Sequence, residues 1–306
     1  MTSQTRPITG IEFSIHPKTS LGYISLNVAS LENQIAFYQQ ALGFILHRRD
    51  GHTAVLGTAE TELLRLTEQT NNKRYRGVTG LYHFAILYPN RKELARAMAR
   101  LFALRVPNSP TDHIMTKTTY LNDPEGNGIE LYAESPEDGM WNMANGSFDA
   151  RRADGTPSNG REPLDVEALF RHLKEDDALD QPVHPETRLG HVHLHVRDIQ
   201  EAVDFYHGVI GFDVMGLAPA FQAAFVSAGG YHHHVGLNTW QGEGAPPPPM
   251  DAQGLRYFTV ELPDRKALDE VIARIDPADI PTNHTPEGLL VYDPSQNGVM
   301  LTHSGE

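Results

Sequence analysis

Residues 189–196 read Leu-Gly-His-Val-His-Leu-His-Val, and they repeat the pattern of residues 21–28, which read Leu-Gly-Tyr-Ile-Ser-Leu-Asn-Val. Every second residue in both segments is apolar, which predicts a β-strand that buries one of its faces. Each segment leads into a helical stretch that ends in Phe-Tyr and is followed by Gly-Phe, at residues 37–44 and 205–212. The chain therefore contains an internal repeat, and the repeat predicts the fold.

A second pair of segments repeats in the same way. Residues 80–87 read Gly-Leu-Tyr-His-Phe-Ala-Ile-Leu, and residues 254–261 read Gly-Leu-Arg-Tyr-Phe-Thr-Val-Glu. Each leads into a helix, and each repeat ends with Asp-Pro-x-x-Asn-Gly and an apolar strand, at residues 123–131 and 293–301. Strand, helix and shorter strands separated by turns predict an α+β fold of four βαβββ units. The units begin near residues 20, 80, 189 and 254.

These repeats divide the chain into four parts. Residues 1–18 form an N-terminal extension, and residues 19–135 form a first domain of two units. Residues 136–186 are rich in Gly, Asp, Arg and Pro, which predicts a long linker, with one helix at residues 164–174. Residues 187–306 form a second domain of two units.

Composition restricts the class of protein. The chain has 306 residues, of which 40% are hydrophobic and 21% charged, and this is typical of a globular protein. No apolar run approaches the roughly 18 residues of a membrane-spanning helix, and residues 1–7 lack the apolar core of a signal peptide. We therefore expect a cytoplasmic protein with no membrane partner. A formal charge of −14 argues against nucleic acid as a partner.

Residues 111–130 read Thr-Asp-His-Ile-Met-Thr-Lys-Thr-Thr-Tyr-Leu-Asn-Asp-Pro-Glu-Gly-Asn-Gly-Ile-Glu and bring three polar side chains, His113, Tyr120 and Glu130, into two short strands. A carboxylate in an apolar strand is costly to bury unless it is paired or bound to a metal. The chain has no cysteine and 16 histidines, so histidines are the available partners for Glu130. The sequence therefore predicts a metal site.

The four units and these motifs resemble the vicinal oxygen chelate superfamily, which includes glyoxalases, bleomycin-resistance proteins and extradiol dioxygenases. The likeness covers about residues 19–135 and 187–303, and it is greatest to the catechol 2,3-dioxygenase branch. The segment Gly-Gly-Tyr-His-His-His-Val-Gly-Leu-Asn at residues 229–238 also belongs to it. The resemblance implies that the four units form two cup-shaped, incompletely closed β-barrels.

In that branch, two histidines and one glutamate hold a ferrous ion. The first-strand position in the four units is occupied by Tyr23, His83, His191 and Tyr257. The last-strand acid position in the second and fourth units is occupied by Glu130 and Met300. The resemblance thus implies His83, Glu130 and His191 as the metal ligands, with His193 as the alternative to His191. Since these ligands come from the second and third units, we expect those two units to form the metal-binding cup and the other two a metal-free cup.

Further site residues also follow from the resemblance. His233 takes the position of the acid–base histidine, and His232 is its neighbour beside the substrate. An alignment shifted by one residue would give the acid–base role to His234. His193 would line the cup, as would His195 on the same face of the strand. His232, His234 and His193 are therefore predicted to line the substrate pocket.

The resemblance also gives roles to the other two polar residues of the 111–130 segment. His113 would hydrogen-bond a substrate hydroxyl, and Tyr120 would hold the oxygen at the metal or one of its ligands. Thr119 stands where the family usually has an aliphatic residue.

Taken together, these residues suggest an extradiol ring-cleaving dioxygenase that uses Fe(II), with Mn(II) left open, and acts on a catechol-type substrate and O2. Two alternatives remain: a glyoxalase-like metal-dependent isomerase or lyase, and a non-catalytic small-molecule binding protein. Glyoxalase-like sites usually have more acidic or amide ligands than the one acid found here, and binding proteins of this fold lack the metal triad. A homo-oligomer with an even number of subunits is the expected assembly.

Overall fold

The computed structural model describes residues 13–142, 148–278 and 280–305. The predicted N-terminal extension, residues 1–18, therefore lies largely outside the described residues. Among those residues, no helix combines the length and the apolar character that a membrane crossing requires.

All four predicted βαβββ units are present, so the predicted fold class is confirmed. The first unit contains β1 (Ser20–Val28), α1 (Leu31–Leu42), β2 (Ile45–Asp50), β3 (Thr53–Gly57) and β4 (Glu62–Glu68). The second contains β5 (Gly80–Leu87), α2 (Arg91–Ala103), β6 (Ser109–Asp112), β7 (Thr116–Asn122) and β8 (Gly128–Glu134).

The connection between the halves has secondary structure of its own. It contains β9 (Gly139–Asn142), β10 (Asp149–Arg152), β11 (Pro157–Ser158), β12 (Glu162–Pro163) and α3 (Val166–Phe170). The third unit contains β13 (Arg188–His195), α4 (Ile199–Val203), β14 (Asp213–Ala218), β15 (Ala223–Ser227) and β16 (Val235–Asn238), and its helix continues as a π-helix over Asp204–Ile210. The fourth contains β17 (Gly254–Leu262), α5 (Arg265–Ile275), β18 (Thr282–Thr285), β19 (Gly288–Tyr292) and β20 (Gly298–His303).

Each large sheet combines one unit from each half of the chain. The first and fourth units form an eight-stranded sheet in the order β18-β19-β20-β17-β1-β4-β3-β2. The second and third units form a nine-stranded sheet in the order β12-β6-β7-β8-β5-β13-β16-β15-β14. Both sheets are joined at their centre by antiparallel first strands, β1 with β17 and β5 with β13. The expected pairing of the second with the third unit is confirmed, and both sheets are open rather than closed. The domain limits at residues 19–135 and 187–306 remain predictions.

One contact accounts for two of the repeated motifs. The Tyr38 hydroxyl donates to the buried Asp123 carboxylate at 2.9 Å, and Tyr206 donates to Asp293 in the same way at 3.2 Å. The Asp123 carboxylate also accepts the backbone N–H groups of residues 125 and 127, which closes the Asp-Pro-x-x-Asn-Gly turn. The Phe-Tyr motif of one unit therefore anchors the turn that precedes the last strand of the next unit.

The linker helix is shorter than the predicted segment 164–174, because α3 covers only Val166–Phe170. Asp165 caps its N-terminus by accepting the Ala168 N–H at 2.9 Å. Beyond the helix, the Asp177 carboxylate accepts the Lys174 N–H at 2.8 Å, a local turn that competes with helix continuation. The Phe170 ring packs against Phe102 of α2, with ring centroids 5.6 Å apart, and this contact fixes the short helix to the second unit.

Candidate metal centre

Strand register brings the three predicted metal ligands onto one face of the nine-stranded sheet. On β5, Ala85 pairs with His191 of the antiparallel β13 and with Glu130 of the parallel β8. His83 lies two residues before Ala85 on the same strand and therefore on the same face. The buried Ala85 side chain is small. The side chains of His191 and Glu130, on the two neighbouring strands, can therefore converge above Ala85 and meet the side chain of His83.

The three ligand atoms form a compact triangle. His83 Nε2 lies 3.3 Å from His191 Nε2, and Glu130 Oε2 lies 3.1 Å from each of the two nitrogens. Ligands about 2.1 Å from a metal and at right angles to one another would be about 3.0 Å apart. Among the residues that the structure describes, this is the one group of at least three such side chains with ligand atoms all within 4.8 Å of one another. The triangle fits one face of an octahedral ion.

The charge states of these side chains also fit a cation. Burial lowers the pKa of His191 to about 4, so its imidazole is neutral near pH 7. Burial alone would raise the pKa of Glu130, but its contacts with His191 and His83 hold it well below its usual range. A carboxylate oxygen and two imidazole nitrogens therefore meet in a buried space, and a divalent ion would satisfy all three lone pairs.

A threonine supports the second oxygen of the carboxylate. The Thr118 hydroxyl lies 2.8 Å from Glu130 Oε1 and 3.0 Å from the Leu131 carbonyl oxygen. Thr118 is fully buried on β7, the strand next to β8. Such partners orient a ligating carboxylate and commonly change metal affinity by about 10- to 100-fold when they are removed.

Thr118→Val should therefore weaken binding of a divalent metal by about tenfold or more, because the variant keeps the side-chain shape but removes the hydroxyl. Titration of the metal-free protein with Mn(II) or Co(II) measures the change. Thr119→Val is the matched control, since the Thr119 hydroxyl bonds Asn108 at 2.8 Å on the other side of the strand. Equal losses in the two variants would show that Thr118 does not support the site.

His113 and Tyr120, the other polar residues of the 111–130 segment, bond to each other beside the triangle. His113 Nδ1 lies 2.7 Å from the Gly160 carbonyl oxygen, which can only accept a hydrogen bond, so this nitrogen carries the proton. Burial lowers the pKa of His113, which keeps the ring neutral and leaves Nε2 as an acceptor. The Tyr120 hydroxyl, 2.8 Å from that Nε2, therefore donates to it. Both ring nitrogens of His113 are therefore engaged, one with Gly160 and one with Tyr120.

The site opens into a cavity of about 140 Å³. Besides the predicted site residues, its walls contain Tyr82, Met115, Thr116, Tyr132, Trp141, Arg161, Phe225 and Trp240. Two of these wall residues, Trp141 and Arg161, come from the predicted linker, which therefore covers the site as well as joining the halves. A tryptophan in a polar, glycine-rich segment was the sequence signal that could have indicated this role.

His193 lies in the wall of this cavity, and its ring contacts the Tyr82 and Trp240 rings at centroid distances of 5.2 and 5.3 Å. It is not part of the ligand triangle. The expectation that His195 lines the same cavity is wrong. Strand β13 changes its register against β5 between residues 193 and 194, and His195 lies in the wall of a separate cavity of about 390 Å³, with its ring 5.2 Å from that of Tyr82.

The three consecutive histidines have different surroundings. His232 and His233 both line the site cavity, because residues 231–234 precede β16 and do not follow strand alternation. The His233 ring lies 4.2 Å from the His191 ring, centroid to centroid. The predicted pocket role of His234 is corrected by the structure: its Nδ1 accepts from the Ser227 hydroxyl at 2.8 Å and the Ala228 N–H at 3.2 Å, and its side chain faces a different cavity, beside Pro17.

Comparison with known proteins agrees with this architecture. The family model of the Glyoxalase/Bleomycin resistance protein/Dioxygenase superfamily matches residues 20–131 and 188–301. A catechol-2,3-dioxygenase of Bacillus subtilis (strain 168) is 40% identical over 284 residues, which covers 92% of this chain and 96% of that protein.

Solved structures share the fold at low sequence identity. A Bacillus subtilis strain 168 protein with a provisional dioxygenase name has a TM-score of 0.61 and 12% identity, covering 95% of this chain and 86% of that one. Glyoxalase I from Zea mays has a TM-score of 0.54 and 15% identity, covering 93% of this chain and 92% of that one. With both halves of the sequence matched, the chain belongs to the Glyoxalase/Bleomycin resistance protein/Dioxygenase superfamily.

Proposed function

We propose that this protein is an extradiol ring-cleaving dioxygenase that inserts both atoms of O2 into a catechol-type substrate, next to the two hydroxyl groups. The observation that carries the proposal is the triangle of His83 Nε2, His191 Nε2 and Glu130 Oε2, with sides of 3.1 to 3.3 Å. The 40% identity to a protein named catechol-2,3-dioxygenase supports the same activity.

The proposed cofactor is Fe(II), with Mn(II) as the alternative, held by these three side chains. A site of two histidines and one carboxylate is the arrangement found in non-haem Fe(II) oxygenases. When bound, the metal would supply open coordination positions for a catechol and O2. Two neutral imidazoles and one carboxylate leave a divalent ion with one net positive charge, which favours a catechol that has lost a hydroxyl proton.

The remaining residues orient the substrate and move its proton. We assign His233 to proton transfer, because its ring borders both the His191 ring and the cavity. The Tyr120 hydroxyl, which bonds the neutral His113, lies in the wall of the cavity, where it can turn towards a substrate oxygen. Trp141, Phe225 and Trp240 provide aromatic walls for the ring and exclude water from it.

The experiment is to load the metal-free protein with Fe(II) under anaerobic conditions, add catechol in air, and record both O2 uptake and the yellow ring-fission product. We expect one O2 consumed for each catechol cleaved, and little turnover by the metal-free protein. Absence of O2 uptake with several catechols would contradict the dioxygenase assignment and favour the isomerase alternative.

The cellular setting remains part of the same proposal. We expect a cytoplasmic enzyme that acts on small molecules, without nucleic-acid or membrane partners, and that assembles as a homo-oligomer. Size measurement in solution by light scattering tests the assembly directly.

A further inference from the structure

A chain of hydrogen bonds leads from the last residue of β8 to the edge of the site cavity. Glu134 Oε1 lies 3.2 Å from His232 Nε2, and His232 Nδ1 lies 2.8 Å from His233 Nδ1. Glu134 follows the candidate ligand Glu130 by four residues on the same strand, so both carboxylates face the same side of the sheet. The chain ends at His233, the side chain proposed to move the substrate proton.

The carboxylate at the start of the chain restricts where the protons lie. An ionised carboxylate can only accept, so the His232 nitrogen facing Glu134 carries a proton. With that single proton on His232, its Nδ1 is an acceptor, and His233 Nδ1 then donates to it. His233 Nε2 is thereby left with a free lone pair.

Two tyrosines hold the carboxylate at the start of this chain. The Tyr231 hydroxyl donates to Glu134 Oε1 at 2.7 Å, and the Tyr132 hydroxyl lies 2.5 Å from the Tyr231 hydroxyl. Burial alone would raise the pKa of Glu134, but the hydrogen bonds from His232 and Tyr231 hold it below its usual range. Gly190 makes room for this arrangement, because a Cβ there would lie 1.9 Å from the Tyr132 hydroxyl oxygen. The carboxylate is therefore ionised and fixed in position.

We propose that Glu134 and His232 are positioning residues that hold His233 in the Nδ1–H tautomer, with Nε2 directed to accept a proton from the substrate. The inference rests on the proposed function. In the step itself, the O–H bond of one catechol hydroxyl breaks, its electron pair stays on oxygen, and the proton bonds to His233 Nε2. The resulting imidazolium keeps its Nδ1–H···His232 hydrogen bond, and the Glu134 carboxylate stabilises the new charge through His232. A carboxylate that orients a catalytic imidazole in a serine protease has the same physical role.

The first test reads the tautomer without any turnover. In the zinc-loaded, diamagnetic protein, ¹⁵N–¹H couplings of the imidazole rings distinguish Nδ1–H from Nε2–H, and loss of one ring signal in His233→Gln identifies His233. We expect the Nδ1–H form in the wild type and a shift towards Nε2–H, or a mixture, in Glu134→Gln. Finding Nε2–H at His233 in the wild type would overturn the proposal.

The second test measures turnover. Glu134→Gln should lower kcat by about 10- to 100-fold, which is part of the 10²- to 10⁴-fold that acid–base catalysis commonly contributes. KM and bound metal should change little. A nitro-substituted catechol, which is already ionised near neutral pH, should lose much less activity than catechol, since its proton does not have to reach His233. A purely structural defect would slow both substrates equally, and that result would overturn the proposal.

A double-variant comparison completes the test. His232→Phe keeps an aromatic ring but removes both nitrogens, and combining it with Glu134→Gln should cost no more than His232→Phe alone, because both act through one chain. If the losses of activity in the two single variants added up in the double variant, Glu134 and His232 would not act through one hydrogen-bond chain.

Glu137→Gln is the matched control, because it makes the same charge change at an exposed glutamate that pairs with Arg91. An inactive wild type would refute the proposed function. If the wild type is active and the Glu134→Gln variant has the same kcat, only the positioning role is refuted.

Discussion

Glu130→Gln should lower the affinity of the protein for a divalent metal by more than about 100-fold, beyond the loss typical of residues that only support a ligand. The amide is neutral and is a weak ligand, so the charge that balances the cation in this buried site is lost. Ring cleavage should fall in proportion to bound metal. At a metal concentration 100 times the wild-type Kd, the wild type should gain about 2.7 kcal/mol in stability, and the variant should gain almost none.

Thermal unfolding with and without metal measures how much the metal stabilises each protein, and the metal-free proteins provide the baseline. We expect metal-free Glu130→Gln to be about as stable as metal-free wild type, because the substitution also removes a buried charge. Glu270→Gln, on the exposed face of α5, is the control for the change in charge. Unchanged metal binding and activity in Glu130→Gln would remove this carboxylate from the site.

His233→Ala should keep the metal but lower kcat by about 10²- to 10⁴-fold, the usual contribution of a general acid–base residue. Its ring lies against the His191 ring, yet it is outside the triangle of ligand atoms. Burial holds the pKa of His233 well below its usual value, so the imidazole is neutral near pH 7 and has a free lone pair. Single-turnover kinetics together with metal analysis separates the loss of proton transfer from the loss of metal.

His234→Ala is the matched control for this variant. It removes the neighbouring buried imidazole, whose side chain faces away from the site cavity and bonds Ser227. We expect His234→Ala to be less stable than the wild type but to have nearly the same kcat per bound metal ion. If His233→Ala loses metal instead, His233 is a ligand, and if it keeps normal turnover, another group moves the proton.

The repeats allowed much of the fold to be predicted, and the resemblance to the superfamily, read across those repeats, implied the three candidate ligands. A position that recurs in four units can be compared across them, and His83 and His191 stand where the other two units have Tyr23 and Tyr257. In the eight-stranded sheet those two tyrosine hydroxyls lie 3.5 Å apart. The absence of candidate ligands in the first and fourth units therefore indicated which units pair, and strand register explains why the three candidate ligands converge.

The parts that sequence reasoning missed depend on irregular backbone. The resemblance placed His232 and His233 at the cavity, which strand periodicity alone would not do for adjacent residues, but it also placed His234 there, and that side chain faces a different cavity. Trp141 reaches the site from β9, and its ring packs edge-on against His113 with centroids 5.2 Å apart. Such contacts depend on where a long connection folds back, and local sequence preferences carry little information about that.

The central claim is that one divalent ion is bound by His83, Glu130 and His191. Its most direct test is an anomalous difference map from crystals soaked in Mn(II). We predict a single strong peak for each chain, about 2.0–2.3 Å from His83 Nε2, His191 Nε2 and Glu130 Oε2. A peak elsewhere, or none between these atoms at saturating Mn(II), would contradict the account.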